Sequence, residues 1–227
     1  MNSPVLITGC NRSGTSVIAG VVNLCGAFCG DLQNTRMYEN EKIKHEVEEY
    51  LTSIGADHRG QFPLPENSSL IPVPSFREKV ERIMIWEKYE RGAWMVKDTK
   101  MCLMWKIWHE AFPSARWVIV RRKTVDIIES CVKTGFMKAF KRKENLSAIG
   151  VTEEREGWLW WIHEHEKRFV EMIEAGVNCK IVWPERMVDG DFEQMKEVIE
   201  WLGLDWNSEC QKFVDNKLWK SKMKGVS

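Results

Sequence analysis

The apolar run Val5-Leu6-Ile7-Thr8 passes into Gly9-Cys10-Asn11-Arg12-Ser13-Gly14-Thr15-Ser16 and then into Val17-Ile18-Ala19. A short strand that feeds a Gly-x-x-x-x-Gly turn at the mouth of a helix leaves few folds open, because the turn has to lie at the edge of a sheet and face an anion. The glycines let the backbone reverse, so that several N–H groups and the positive end of the helix dipole converge on one point. A nucleoside-triphosphate site places Lys and then Ser or Thr after the second glycine, whereas here the pair is Thr15-Ser16. The missing charge is offered by Arg12, inside the loop, whose guanidinium can reach the far oxygens of a bound phosphate. Residues Asn11 to Ser16 therefore read as the site of a phosphate-bearing donor other than ATP.

Four β-rich segments, Val5 to Thr8, Trp94 to Lys97, Arg116 to Val120 and Cys179 to Trp183, are each followed by a helical pattern. Helices are predicted over Gly14 to Cys25, Glu41 to Thr52, Phe76 to Arg91, Cys102 to Ala111, Val125 to Thr134, Thr152 to Glu174, Phe192 to Leu202 and Ser208 to Trp219. Strands alternating with helices imply α/β architecture: a single domain over 1–227 with three α/β/α layers, a central parallel sheet and the phosphate-binding loop after the first strand. A chain of 227 residues, 44% of them hydrophobic, can build one such core.

The 33 basic and 33 acidic side chains balance. No global field favours nucleic acid or a membrane surface, so any binding charge has to be local. The start of the chain does not resemble an export signal, and no apolar run approaches a membrane span. The seven cysteines are odd in number and scattered, which predicts free thiols and a cytoplasmic protein.

Two stretches carry no clear periodicity. Ser53 to Ser75 is rich in glycine and proline and reads as a long irregular loop. Gly135 to Val151 is basic at Lys138, Lys141, Arg142 and Lys143 and reads as flexible, either as a flap over a substrate or as a solvated surface loop. The third strand ends in Arg121-Arg122 where an ATPase would more often carry a magnesium-binding acid. The following helix brings Ser130 to the end of its second turn. At the carboxyl edge of a parallel sheet this arginine pair meets a second anionic group, or else caps the strand as a solvated pair.

These residues resemble a known family. Gly9-x-x-Arg12-Ser13-Gly14-Thr15-Ser16 looks like the 5′-phosphosulfate loop of sulfotransferases that use 3′-phosphoadenosine 5′-phosphosulfate (PAPS), and Arg122-x-x-x-Asp126-x-x-x-Ser130 looks like their 3′-phosphate motif. Val96-Lys97-Asp98-Thr99-Lys100 and Phe112-Pro113-Ser114-Ala115-Arg116 are similar to the K-D-P-R and F-P-D-A-R region of bacterial members. Pro184-Glu185-Arg186-Met187 and Trp201-Leu202-Gly203-Leu204 look like the Y-E-D-L and F-L-G-L segment.

The resemblance implies sulfuryl transfer from PAPS to a small-molecule or carbohydrate hydroxyl or amine, with no metal required. It implies that Asn11, Arg12, Ser13, Gly14, Thr15 and Ser16 hold the 5′-phosphate and that Arg122 and Ser130 hold the 3′-phosphate, although a helical serine can also bond its own backbone. Arg12 and Lys97 would neutralise developing charge. A purely structural pairing of Lys97 with Asp98 or another carboxylate is the competing reading.

The histidine of the Lys-Thr-His segment found in cytosolic members is absent, since that place reads Lys97-Asp98-Thr99. Tyr38-Glu39-Asn40 is similar to the G-Y-W-E-N segment of other branches, which makes Glu39 the expected general base, with Asp98 and His45 in reserve. A small-molecule kinase and a non-catalytic nucleotide-binding relative remain the alternatives. His163-Glu164-His165 does not present a metal site, because helical residues two apart diverge. Trp158 and Trp161 share a helical face and read as core, and the lysines from Lys217 to Lys224 read as a solvated tail.

Overall fold

In the computed structural model, which describes residues 1–34, 37–62 and 73–214, the chain runs through β1 (Val5–Gly9), α1 (Thr15–Leu24), β2 (Leu32–Asn34), β3 (Glu39–Asn40), α2 (Glu41–Ser53), α3 (Phe76–Trp86) and β4 (Met95–Lys97). A 3-10 helix (Thr99–Met104) leads into α4 (Trp105–Ala111), β5 (Arg116–Val120) and α5 (Thr124–Lys133). A second 3-10 turn (Ala139–Lys141) precedes α6 (Lys143–Ala148), α7 (Glu154–Glu174), β6 (Cys179–Val182), α8 (Pro184–Val188), α9 (Glu193–Trp201) and α10 (Glu209–Phe213).

The main sheet is parallel throughout, in the order β4-β1-β5-β6. β1 pairs Ile7 with Lys97 on one side and Gly9 with Val120 on the other. The chain thus visits one flank of β1 and then crosses to the other, and the carboxyl ends of these neighbouring strands border the crevice where such sheets bind ligands. Phe28 shields the outer edge of β4, donating to Ala93 O at 2.9 Å and accepting from Met95 N at 2.8 Å.

Side chains alternate across the sheet with period two. Leu6, Trp94, Val96, Trp117 and Ile119 enter a core made with α2, α3, α4, α5 and α7, while Val5, Ile7, Met95, Val118, Val120 and Val182 enter a second one under α1, α8, α9 and α10. Each fully buried aliphatic side chain contributes about 1.5–3 kcal/mol relative to exposure. Both faces are covered, which gives the expected three layers in a single α/β domain.

Local signals account for most boundaries. The Asn40 side chain caps α2 by accepting from Ile43 N at 3.0 Å, and Glu153 with Glu156 forms a capping box that starts α7. α3 stops at Trp86, five residues before the expected end, because Lys88 adopts φ 74°, a left-handed conformation that terminates helices. The expected helix from Cys102 starts instead as a 3-10 turn, set by the Asp98 carboxylate accepting from Lys100 N at 2.8 Å. The short β2–β3 pair and α8 carry too few residues for periodicity to reveal. No helix among the described residues is long and apolar enough to cross a membrane.

The two irregular stretches fare differently. Residues 63–72 of the first lie outside the described residues, as do 215–227, the end of the last expected helix and the lysines of the tail. Residues 57–62 form a knot in which the Asp57 carboxylate accepts from the N–H groups of Arg59, Gln61 and Phe62. Gly135 to Val151 is not an irregular loop. Met137, Ala139, Phe140 and Leu146 are buried while Lys138, Lys141, Arg142 and Lys143 are exposed, so the basic composition belongs to the outer face of short helical turns.

Phe140 meets the Trp158 ring edge-on, with centroids 4.7 Å apart, and lies over Gly157 of α7, where a Cβ would come within 2.4 Å of the ring. Gly157→Ala is expected to destabilise the fold by about 1–3 kcal/mol through overpacking, despite a helix-propensity gain of up to about 1 kcal/mol. Urea denaturation checks this through a lower midpoint at unchanged slope. An unchanged midpoint would mean that the turn bearing Phe140 yields without cost.

Candidate active site

The site begins where α1 is left open. In contrast to α2 and α7, α1 has no side-chain cap, and the N–H groups of Gly14, Thr15 and Ser16 find no backbone acceptor among the described residues. Arg12 at φ 70° and Gly14 at φ 100° both take left-handed conformations that turn the loop, closed by Ser13 N donating to Cys10 O at 3.1 Å. The Ser13 N–H, expected to face the phosphate, is thus engaged inside the loop. The Ser13 hydroxyl is buried with no hydrogen-bond partner, and a Cβ on Gly9 would lie 2.8 Å from it and 2.4 Å from Val120 O. A concave backbone cradle with unused donors fits a bound anion, and the Ser13 hydroxyl lies buried behind it.

Arg12 points across this cradle. Its Nε donates to Ser130 Oγ of α5 at 2.8 Å, and its carbonyl accepts from Arg122 Nη1 at 2.9 Å. The Arg12 guanidinium also lies over the Phe136 ring, 6.0 Å from its centroid. Arg122, half-buried, has Asp126 and Glu185 carboxylates 3.9 and 4.0 Å from Nε. Burial pulls its pKa below the ordinary arginine value, an effect that those two carboxylates oppose and the Arg12 charge reinforces. The two expected anion sites are therefore one connected cluster.

Arg121 does not join it. Consecutive residues leaving β5 point to opposite faces, and Arg121 turns toward α7, where its Nη2 meets Glu166 Oε2 at 2.6 Å, and stacks over Trp183. Its charge is neutralised there.

Lys97 ends β4 beside Ile7, which brings its ammonium to the mouth of the loop. The side chain is 2% exposed and donates to Glu39 Oε1 of β3 at 2.6 Å, while Lys44 approaches Glu39 Oε2 at 3.7 Å. Burial pushes the Glu39 pKa up, but the charge and hydrogen bond of Lys97, together with Lys100 and Lys44, outweigh it and hold the group below its ordinary value. A base tuned upward by its pocket is thus not what the structure offers. Glu39 is an ionised carboxylate shared among cations.

Of the reserve bases, buried Asp98 is engaged with Lys100, at 3.1 Å from Nζ and through the Lys100 N–H, and His45 lies 68% exposed on α2 beside Glu49. Glu39, not Asp98, is the partner of Lys97. His163 faces solvent while His165 is buried against Trp161, where burial lowers its pKa to about 4.

Two cavities meet at Glu39. The smaller, about 260 Å³, is lined by Asn11, Arg12 and Gly14 to Ser16 of the loop and by Glu39, Lys97 and Arg122. The larger, about 730 Å³, is lined by Glu39, Lys44, Lys100, Arg59 and Lys138, and the two share Asn11, Met37, Glu39 and Phe136. Sequence reasoning missed Thr99, whose hydroxyl donates to Asn11 Oδ1 at 2.8 Å and so orients the loop, and Met37, whose carbonyl accepts from Ser16 Oγ at 3.3 Å. Met37 and Phe136 carry no motif. Thr99 and Lys100 stood inside the motif that points to Lys97.

A sulfotransferase family model matches residues 4–208. The chain belongs to the sulfotransferase family. Its fold is that of sulfotransferase STF9 from Mycobacterium avium, with a TM-score of 0.60 and 14% identity over 98% of this chain and 69% of that one. Sulfotransferase STF1 from Mycobacterium tuberculosis H37Rv aligns with a TM-score of 0.47 and 11% identity over 100% of this chain and 77% of that one. No curated protein matches the sequence.

In this sulfotransferase-family chain, breaking the Glu39–Lys97 pair strands a buried ammonium. Glu39→Gln is expected to cost about 3 kcal/mol at neutral pH. Because the Glu39 pKa is lowered on folding, its contribution is complete above the unfolded value of about 4.3 and disappears as pH falls through the folded value. The stability gap between parent and variant, followed by urea denaturation from pH 7 down to pH 3, is therefore expected to narrow in acid. A gap independent of pH would show that the pair is not its source.

Proposed function

We propose that the protein transfers a sulfuryl group from PAPS to a hydroxyl or amine of a small-molecule or carbohydrate acceptor. The observation that carries this reading is the Arg12–Ser130–Arg122 cluster, which joins the open N-terminus of α1 to the end of β5 and supplies cations on both sides of one small cavity. A magnesium-dependent phosphoryl transfer site places an acidic residue at such a strand end. Two arginines stand there instead.

When bound, PAPS supplies an activated sulfuryl group whose bond to the 5′-phosphate breaks as the acceptor oxygen or nitrogen bonds to sulfur. The chain's part is to hold and to neutralise. The N–H groups of Gly14 to Ser16, with the Thr15 and Ser16 hydroxyls, bind the 5′-phosphate, with Asn11 and Ser13 shaping the loop, and Arg122 and Ser130 bind the 3′-phosphate. Arg12 and Lys97 face the charge that develops between the reacting groups, so the reading needs no metal.

Glu39, ionised at neutral pH, accepts the acceptor's proton. Its low pKa makes it a weak base while Lys97 is its partner, and its basicity rises as Lys97 is drawn toward developing negative charge. Free thiols at all seven cysteines agree with a cytoplasmic location.

Thermal unfolding in the presence of 3′-phosphoadenosine 5′-phosphate, ADP and Mg-ATP tests the donor. At ~100 times its dissociation constant, a ligand adds roughly 2.7 kcal/mol to native stability. The bisphosphate is expected to stabilise selectively, and Arg122→Ala is expected to abolish its advantage over ADP. Stabilisation by Mg-ATP alone would overturn the reading in favour of a kinase. Tight bisphosphate binding without transfer of radiolabelled sulfate to any hydroxyl or amine would reduce the protein to a non-catalytic relative.

A further inference from the structure

The larger cavity carries a charge pattern that the donor reading does not use. On and behind its inner wall the charges cancel. Lys97 and Lys44 lie 2.6 and 3.7 Å from Glu39, Lys100 lies 3.1 Å from Asp98 and 3.7 Å from Glu48, and Lys44 lies 4.0 Å from Glu48. At the mouth they do not. Arg59 and Lys138 line the cavity and form no ion pair among the described residues, and the nearby Asp57 carboxylate is occupied by backbone N–H groups.

The backbone segments that carry these two cations are joined by a shared device. Gln61, 5% exposed, donates from Nε2 to Phe136 O at 3.0 Å and accepts at Oε1 from Lys138 N at 3.0 Å. One buried amide thereby clamps the turn bearing Arg59 to the segment bearing Lys138. A buried amide with both ends engaged is geometrically specific, so the two segments that carry these cations are held in a fixed relation beside the cavity.

Resting on the donor reading above, we infer that the acceptor carries a negatively charged group, a carboxylate, phosphate or sulfate, that docks between Arg59 and Lys138 while its hydroxyl or amine faces Glu39 and Lys97. A cavity of about 730 Å³ accommodates such a molecule. The anion neutralises the two mouth cations through charge-assisted hydrogen bonds. An acceptor lacking it leaves them uncompensated, and the acceptor class is set by this difference.

Matched neutral and anionic probes test this: methyl glucoside against methyl glucuronide, glycerol against glycerol 3-phosphate, and 4-hydroxybenzyl alcohol against 4-hydroxybenzoate and 4-hydroxyphenyl sulfate. Calorimetric binding without donor and kcat/KM for sulfuryl transfer are both measured. The anionic member of at least one set is expected to be favoured by about tenfold or more, with the preference falling about tenfold in Arg59→Gln or Lys138→Gln and shrinking as sodium chloride rises. The set that shows the largest preference distinguishes carboxylate, phosphate and sulfate.

Equal binding of neutral and anionic members in every set would overturn the inference. So would a preference that survives in the double variant, since the anion would then sit elsewhere, for instance in the Ser13–Ser16 loop. Binding of 3′-phosphoadenosine 5′-phosphate, measured separately, reports on the donor. If that nucleotide fails to bind while the anionic preference depends on Arg59 and Lys138, the cavity inference stands and the donor reading falls.

Discussion

The hydrogen-bonded position of β1 between β4 and β5 governs the rest of the molecule. Because Ile7 is registered with Lys97 and Gly9 with Val120, the loop that follows β1 opens with a lysine on one flank and the chain leading to Arg122 on the other. A one-residue slip of β1 would exchange the faces of its residues, sending Ile7 into the wrong core and carrying the loop out of step with Lys97. The two cores therefore hold the register of the site. Apolar burial across the sheet supplies the stability, and the carboxyl edge inherits its geometry from it.

Against that frame the polar residues of the site contribute little net stability. Taking Lys97 and Glu39 out of water costs several kcal/mol per ion before their attraction returns it, so a buried pair of this kind is weak evidence for stabilisation. Arg12 adds a left-handed residue to the loop at a cost of order 1–3 kcal/mol. An unclosed helix end, an orphaned Ser13 hydroxyl and clustered arginines all run against what a chain selected for stability alone would retain. Their common location at one sheet edge is what the proposed binding of a polyanion would explain.

Legibility in the sequence followed the range of the forces involved. The four main strands and α1, α2, α5, α7 and α9 were readable because burial on one or two faces writes a period of two or 3.6 into the residues themselves. The strand–glycine-loop–helix unit was readable because φ values near +100° and an open helix start demand particular residues. What escaped was non-local. Arg121 and Arg122 are alike as residue types, and apart from the family resemblance that singles out Arg122, only the alternation at the end of β5 together with Glu166 on α7 separates them. The basic run from Lys138 to Lys143 concealed Phe140, whose seat over Gly157 depends on a helix that begins more than ten residues later. The lowered Glu39 pKa depends on Lys97, Lys100 and Lys44 converging from separate elements.

That convergence links the two cavities. Glu39 lies in the wall of both, and its nearest cation, Lys97, lines the smaller, while Lys44 and Lys100 line the larger. Any negative charge arriving in the smaller cavity competes with Glu39 for Lys97, which weakens the pair and raises the carboxylate's basicity, as the proposed role of Glu39 as base requires. A cation brought closer from the other side has the opposite effect. The same carboxylate thus couples the two chambers without movement of the backbone, because its ionisation is set by burial against Lys97 on one side, with Lys100 and Lys44 adding to it from the other.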